Sequence, residues 1–223
     1  MCNKACIDFG RENLTRQDIE GKKVIEIGSR DVNGSLRPSV EELKPESYLG
    51  IDLEAGSGVD EICNVYDLVE RFGPESFDVA ISSEMVEHVQ NWRDAISQIK
   101  SILKPDGVVL ITTRSIGFPY HDYPFDYWRY ELDDMRAIFS DMTIEALKPD
   151  ELSPGVLVKA RKPVDFIEND LSEHALFSMV TMGRSVATEF SGLEYFLMRC
   201  RNSFVAQKFY SAKRRVLGVA SGS

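Results

Sequence analysis

The chain predicts an α/β fold on an open, mainly parallel sheet, and three observations carry that reading. Lys22 to Ser35, KKVIEIGSRDVNGS, runs from an apolar strand (Val24, Ile25, Ile27) through Gly28 into a polar turn, and Asn33-Gly34-Ser35 prepares a helix start. A second strand, Tyr48 to Asp52, ends in a carboxylate 24 residues after Gly28. In an open parallel sheet, strand ends of this kind face the crevice where ligands bind. Further apolar runs of strand length then alternate with helical stretches as far as Arg161.

The first turn separates two adenosyl cofactors. A dinucleotide normally needs G-x-G-x-x-G, so that bare backbone approaches a pyrophosphate at a helix N-terminus. Here Arg30 and Val32 stand where the later glycines would be, and Glu26 sits just before the turn. A carboxylate beside a pyrophosphate is repulsive. S-adenosylmethionine has no phosphate and carries a sulfonium and an amino group, which a nearby carboxylate favours. Ser29, Asp31 and Asn33 offer acceptors and donors to its methionine part, and Arg30 is a candidate for its carboxylate. The two oxygens of Asp52 suit two ribose hydroxyls. The plainer role for Asp52 is a cap on the loop Leu53-Glu54-Ala55-Gly56-Ser57-Gly58.

Glu26-x-Gly28, Asp52, FDVAISSEMVEHV and LKPDGVVLITT, in this order and spacing, resemble the class I S-adenosylmethionine-dependent methyltransferases, specifically the type-11-like methyltransferase domains. The resemblance spans roughly Gly21 to Lys162 and departs from the usual E/D-x-G-x-G-x-G by lacking two glycines. It implies a Rossmann-like seven-stranded sheet of order 3-2-1-4-5-7-6 with the last strand antiparallel, and S-adenosylmethionine as cofactor. It also implies that Leu53, Asn64 and Val65 line the adenosyl group, and that Ser82, Ser83 and Glu84 emerge at the crevice.

The elements follow in order. Ile7 to Ile19 reads as one short amphipathic helix, serving as a lid or packing on the sheet edge, and Gly21 leads into the first strand. Leu36 to Leu43 is helical, with Pro38 tolerated in the first turn. GVDEICNVYDL gives a short third strand, and FDVAISS the fourth. Trp92 to Leu103 is an amphipathic helix stopped by Lys104-Pro105-Asp106-Gly107, and Val108 to Thr113 is the fifth strand. Leu132 to Phe139 is a helix, and Met142 to Leu147 and Gly155 to Arg161 are the last two strands.

The stretch TTRSIGFPYHDYPFDYWRYE bears most directly on substrate. It carries eight aromatic or imidazole side chains: Phe118, Tyr120, His121, Tyr123, Phe125, Tyr127, Trp128 and Tyr130. That is unusual for a loop that merely connects. Arg114, Phe118, Tyr120, Tyr127 and Arg129 are the expected substrate contacts, with Trp128 and Phe125 packing behind. For an acceptor hydroxyl that must lose a proton, His88, His121 and Tyr123 are the catalytic candidates. The competing role for His88 is a hydrogen-bonded structural histidine, and for the whole stretch a small hydrophobic core. No metal ligand set is expected.

Pro163 marks a boundary between a cofactor-binding domain, 1–162, and a helical extension, 163–223. Two amphipathic helices are expected there, Ser172 to Phe190 and another carrying Leu193, Phe196, Leu197, Cys200 and Phe204. They suit a cap, a homodimer contact or, with Lys213-Arg214-Arg215, a membrane surface.

Bulk properties narrow the functions further. The net charge is −10, while residues 163–223 hold seven basic and six acidic side chains, so the acidity lies in the first domain. A polyanionic partner is repelled by it, which disfavours nucleic acid. No apolar run reaches a membrane span, and the start lacks the order of a signal peptide, so a cytoplasmic location is expected. Cysteines 2, 6, 63 and 200 form no disulfide framework and read as small core residues or idle thiols. The sequence therefore suggests methyl transfer to a small acceptor, a hydroxyl of a sugar or secondary metabolite. The rival readings are a methyltransferase-like scaffold without turnover and an NAD-dependent oxidoreductase.

Overall fold

A computed structural model of the chain describes residues 3–121 and 125–202. Strands β1 (Lys23–Ile27), β2 (Ser47–Asp52), β3 (Glu61–Ile62), β4 (Phe77–Ser83) and β5 (Leu103–Arg114) come first. A two-residue β6 (Trp128–Arg129), β7 (Thr143–Pro149), β8 (Gly155–Arg161), β9 (Leu176–Ser178) and β10 (Gly183–Ser185) follow. Seven of them form one sheet, β3-β2-β1-β4-β5-β8-β7. β1 to β5 run parallel with one another, whereas β8 is antiparallel to both β5 and β7. Because β6 lies outside this sheet, β7 and β8 are its sixth and seventh strands, and the order is the expected 3-2-1-4-5-7-6.

Both faces of the sheet are covered, which explains the near-continuous apolar runs. In β1, Val24 faces a cluster with Phe9, Leu36 and Val40, while Ile25 and Ile27 face the larger cluster built on Trp92, Ile96, Ile99 and Trp128. The period-two alternation puts Glu26 on the Val24 face, under the N-terminal helices. The helices are α1 (Lys4–Asn13), α2 (Arg16–Ile19), α3 (Arg37–Glu41), α4 (Leu68–Phe72), α5 (Trp92–Ile102), α6 (Leu132–Ile138) and α7 (Gly192–Asn202).

Three expectations are corrected. Ile7 to Ile19 is two helices, because the backbone turns extended at Leu14, and Thr15 and Asp18 then form a capping box that starts a second helix. Ser172 to Phe190 is not helical: β9 and β10 pair antiparallel there, with Met182 at φ 59° in the turn. β9 also pairs with β6, so cross-strand hydrogen bonds to Trp128 and Arg129 outweigh the helical spacing of its apolar residues. In α7, Leu193, Phe196 and Leu197 are exposed and Met198 is buried. Cys200 is exposed as well, while Cys6 is fully buried. Cys2, Phe204 and Lys213-Arg214-Arg215 lie outside the described residues. Among the described residues, no helix is long and apolar enough to cross a membrane.

Candidate functional site

The carboxyl ends of β1, β2, β4 and β5 converge on one crevice. At the exit of β1, Gly28 has φ 80°, and a Cβ there would lie 2.6 Å from Met85 Cγ. This fit explains why glycine holds that position when the two later glycines are lost. Glu26 is buried, and Tyr48 Oη donates a 2.7 Å hydrogen bond to its Oε2. Burial raises its pKa to about 7, against the opposing pull of the Tyr48 hydrogen bond and the Arg37 charge.

Asp52 closes β2 from the other side of the turn. Its Oδ2 accepts from the Arg30 amide at 3.2 Å and its Oδ1 from the Glu54 amide at 3.3 Å. The carboxylate thus fixes the turn and the loop after β2, and each oxygen retains a lone pair. Arg30 extends to Glu54 at 2.5 Å. Asn33 is exposed at the rim. Leu53 and Ile62 leave 58% and 63% of their surface open beside Asp52, an apolar edge suited to a purine. Ile62 was not singled out from the sequence, since an exposed apolar residue in a two-residue strand carries no periodic signal. Asn64 caps the turn Val65–Asp67 by accepting from the Tyr66 amide, and Val65 is buried.

Three buried hydroxyls, Ser29 Oγ, Ser82 Oγ and Ser83 Oγ, have no hydrogen-bond partner among the described residues. They lie at the exits of β1 and β4, the strand ends that face the crevice, and unpaired buried hydroxyls are costly unless a ligand meets them. With the Glu26 carboxylate and the Asp52 oxygens, they fit the amino acid and ribose parts of S-adenosylmethionine.

Beyond Ser83 the chain turns sharply, with Glu84 at φ 56°. Glu84 forms an ion pair with Arg114, and its Oε1 accepts from Cys6 Sγ at 3.4 Å. Burial and the neighbouring Glu87 raise the Glu84 pKa well above its usual range. Arg114 also reaches Asp150 at 3.3 Å and Ser153 Oγ at 2.8 Å, with its guanidinium 4.2 Å from the Phe118 ring centroid. Arg114 is 3% exposed, so it anchors the mouth of the crevice to the β7–β8 turn.

Glu87 is the residue that sequence reasoning missed. Fully buried, it accepts from Thr113 Oγ1 at 2.9 Å through Oε2, while Oε1 has no hydrogen-bond partner among the described residues. His121 Nε2 stands 3.7 Å from that Oε1 and His88 Nε2 4.0 Å. Burial alone would raise the Glu87 pKa, and the two imidazoles reverse this to about 2. The His88 and His121 rings pack edge to face at 4.7 Å. The adjacent pair Glu87-His88, directly after a strand end, was the available signal.

The aromatic stretch is only partly a substrate wall. Arg129 is fully buried and donates to Asp126 at 2.5 and 2.6 Å and to the carbonyls of Phe118, Pro119 and Trp128. The expected substrate contact is therefore a clamp that shapes the loop. Asp126 in turn accepts from His121, at Nδ1 and at the backbone amide, both at 3.0 Å. Burial would lower the His121 pKa, but Asp126 and Glu87 outweigh it and raise the value to about 9. Tyr127 is buried and stacks on Phe190, with Tyr195 edge-on. Trp128 Nε1 donates to the carbonyls of Val89 and Gln90, and Phe125 packs against Tyr127 and Tyr195. Tyr120 is half-buried against the larger core cluster. Tyr123 lies outside the described residues.

What remains open is a cleft of about 410 Å³ lined by Asn3, Asn33, Arg114, Phe118, His121, Leu152 and Ser153. It joins the turn after β1 to the aromatic stretch, and its size suits a small organic ligand.

A sequence model of a family described as a methyltransferase domain matches residues 3–148. The ubiquinone biosynthesis O-methyltransferase of Agrobacterium fabrum is 28% identical over 123 residues, covering 50% of this chain and 48% of that protein. Its namesake from Pseudomonas syringae is 30% identical over 112 residues, covering 44% and 47%. The chain spans about half the length of the curated relatives it matches. Among solved structures, Burkholderia thailandensis 1,6-didemethyltoxoflavin-N1-methyltransferase superposes with TM-score 0.56 at 16% identity, covering 72% of this chain and 79% of that one. An S-adenosylmethionine-dependent methyltransferase from Mesorhizobium loti gives 0.51 at 18% identity, covering 70% and 100%. These two likenesses establish a shared fold.

Proposed function

We propose that this chain, which belongs to the methyltransferase-domain family, binds S-adenosylmethionine in the crevice and passes its methyl group to a hydroxyl oxygen of a small molecule. The carrying observation is the single cleft that Asn33, from the turn after β1, shares with Phe118 and His121 of the aromatic stretch. A cofactor held on the first side meets an acceptor held on the second. The relatives named O-methyltransferase support oxygen as the accepting atom, and the mixed aromatic and charged lining supports a phenol or sugar-like polar acceptor.

The cofactor supplies an activated methyl and a neutral thioether leaving group. This chain's own contribution is alignment and exclusion of water. Holding two reactants in line is worth up to ~7–11 kcal/mol. Glu26 places a negative charge where the cofactor's cationic part enters, and Asp52 receives the ribose hydroxyls. Rings such as Phe118 favour a nearby cation. Activation of the acceptor hydroxyl falls to the cluster of Glu87, His88 and His121. His88 Nδ1 points at the Phe125 carbonyl oxygen at 2.6 Å, so that nitrogen donates and the ring is held with Nε2 toward Glu87. Residues 1–162 serve as the cofactor-binding unit. Those of 163–202 buttress the acceptor wall through β9 on β6 and through Phe190 and Tyr195 on Tyr127.

The test is calorimetry with S-adenosylhomocysteine and with NAD, followed by radiolabelled methyl transfer to a panel of phenols, sugars and amines. Binding of the thioether with label in a hydroxyl product is the expected result. Binding of NAD alone would overturn the cofactor, and tight thioether binding with no labelled product would leave a scaffold.

A further inference from the structure

Two of the chain's three histidines meet one fully buried carboxylate at the mouth of the cleft. The ligating atoms of Glu87, His88 and His121 all lie within 4.8 Å of one another. We propose that these three side chains form a binding site for a divalent first-row transition metal, with open coordination positions facing the cleft.

The argument is geometric. Metal-bound imidazoles are oriented by an acceptor on the other ring nitrogen, and ligating carboxylates are themselves hydrogen-bonded. All three supports are present. His121 Nδ1 points at Asp126 Oδ2 at 3.0 Å, and His88 Nδ1 at the Phe125 carbonyl oxygen at 2.6 Å. Glu87 Oε2 accepts from Thr113 Oγ1 at 2.9 Å. The atoms left over, Glu87 Oε1 and His121 Nε2, are buried without a hydrogen-bond partner among the described residues, and they face each other across 3.7 Å, too far for a proton to join them. Ligands about 2.0–2.2 Å from a tetrahedral ion sit roughly 3.3 Å apart. The 3.7 and 4.0 Å separations at Glu87 Oε1 therefore need to close by only about 0.4–0.7 Å. Two imidazoles and one carboxylate favour a borderline cation such as Zn²⁺, Fe²⁺ or Mn²⁺ over Ca²⁺, and leave positions for substrate.

The use of such an ion rests on the methyl-transfer reading, although its binding does not. An acceptor hydroxyl bound at an open position is acidified and gives its proton to solvent water. Its oxygen then forms the bond to the methyl carbon while the carbon–sulfur bond breaks, and sulfur keeps the electron pair. His121 already lines the cleft, so the ion stands where an acceptor arrives.

The full chain, freed of metal with a chelator, is titrated with Zn²⁺ by calorimetry and with Co²⁺ by visible absorption. One equivalent should bind, and Co²⁺ should give d–d bands of a low-symmetry nitrogen and oxygen site. His88→Ala and His121→Ala should each weaken binding at least 100-fold and abolish the bands, whereas His174→Ala should change neither. Asp126→Asn should weaken binding less than His121→Ala. S-adenosylhomocysteine affinity serves as the folding control and should persist in every variant that folds. Failure of the wild type to bind a stoichiometric ion, or binding that survives both histidine substitutions, overturns the site. Metal binding without methyl transfer would retain it and remove the reaction instead.

Discussion

The phenol of Tyr48 donates to Glu26 Oε2 at 2.7 Å and, among the described residues, is the one side-chain hydrogen bond that steadies this buried acid. Burial still dominates and raises the Glu26 pKa from 4.5 to about 7. The folded state therefore holds the proton more tightly than the unfolded chain. The resulting stability is complete below pH 4.5 and is lost as the pH rises through about 7. Glu26→Gln, which never ionises, should melt higher than the wild type at pH 8, by the equivalent of about 3 kcal/mol at most. At pH 4.5 the two should melt together. Thermal unfolding at both pH values measures this, and an equal gap at each would mean that Glu26 does not titrate.

Cofactor binding draws on the other form of the same group. A cationic ligand favours ionised Glu26, so S-adenosylmethionine affinity should rise between pH 6 and pH 8 and level off above it. Tyr48→Phe, which removes the bond that favours the carboxylate, should move the midpoint of that rise upward. Isothermal titration at half-unit intervals reads both. A flat profile would separate Glu26 from the cofactor.

Asp52, the proposed ribose contact, joins the turn after β1 to the loop after β2 through the amides of Arg30 and Glu54. Asp52→Ala should weaken S-adenosylhomocysteine binding by roughly 10- to 100-fold, as expected for one charge-assisted hydrogen bond or more. Asp52→Asn keeps one acceptor oxygen and should lose less. Calorimetry checks the order wild type, Asn, Ala. If all three bind alike, the ribose lies elsewhere.

Gly28 meets two constraints at once, φ 80° and a Cβ position 2.6 Å from Met85 Cγ. Left-handed strain in a non-glycine residue costs roughly 1–3 kcal/mol. The displaced Met85 would carry the segment with Glu84, Glu87 and His88 away from the crevice. Gly28→Ala should therefore reduce cofactor affinity by more than tenfold with a smaller loss of stability, read by comparing calorimetry with urea unfolding. Loss of stability alone would show that the turn is purely structural.

Much of this was legible from residues 22–162. Strand identities and sheet order followed from apolar runs punctuated by glycine and proline, because a sheet covered on both faces demands such runs. Asp52 was legible as a strand-end carboxylate, and its bonds to the Arg30 and Glu54 amides are those of the loop cap that the sequence also offered. Arg129 was misread because a guanidinium in an aromatic loop looks the same in sequence whether it faces a ligand or clamps carbonyls. Glu87 was passed over for Glu84, since burial that brings together residues 34 positions apart leaves no trace in local spacing. The β9–β10 hairpin was hidden by apolar residues that fit a helix equally well, and only pairing with β6 decides between the two.

Asp18 ties the N-terminal helices to the far edge of the sheet. It accepts from Lys159 at 2.9 Å, Arg161 at 2.6 Å and Thr15 Oγ1 at 2.8 Å. Burial would raise its pKa, but these donors win and lower it well below the usual carboxylate range. The stability this brings is present above the unfolded pKa near 4 and is lost as the pH falls toward the depressed folded value. Asp18→Asn should cost about 3 kcal/mol at pH 7, the lower end for breaking a buried pair, because Glu145 still pairs with both Lys159 and Arg161. Below about pH 4 the gap to wild type should narrow by ~1.4 kcal/mol per pH unit. Urea unfolding at pH 7, 4 and 3 measures the trend, and a gap that stays constant across that range would assign the loss to packing and not to charge.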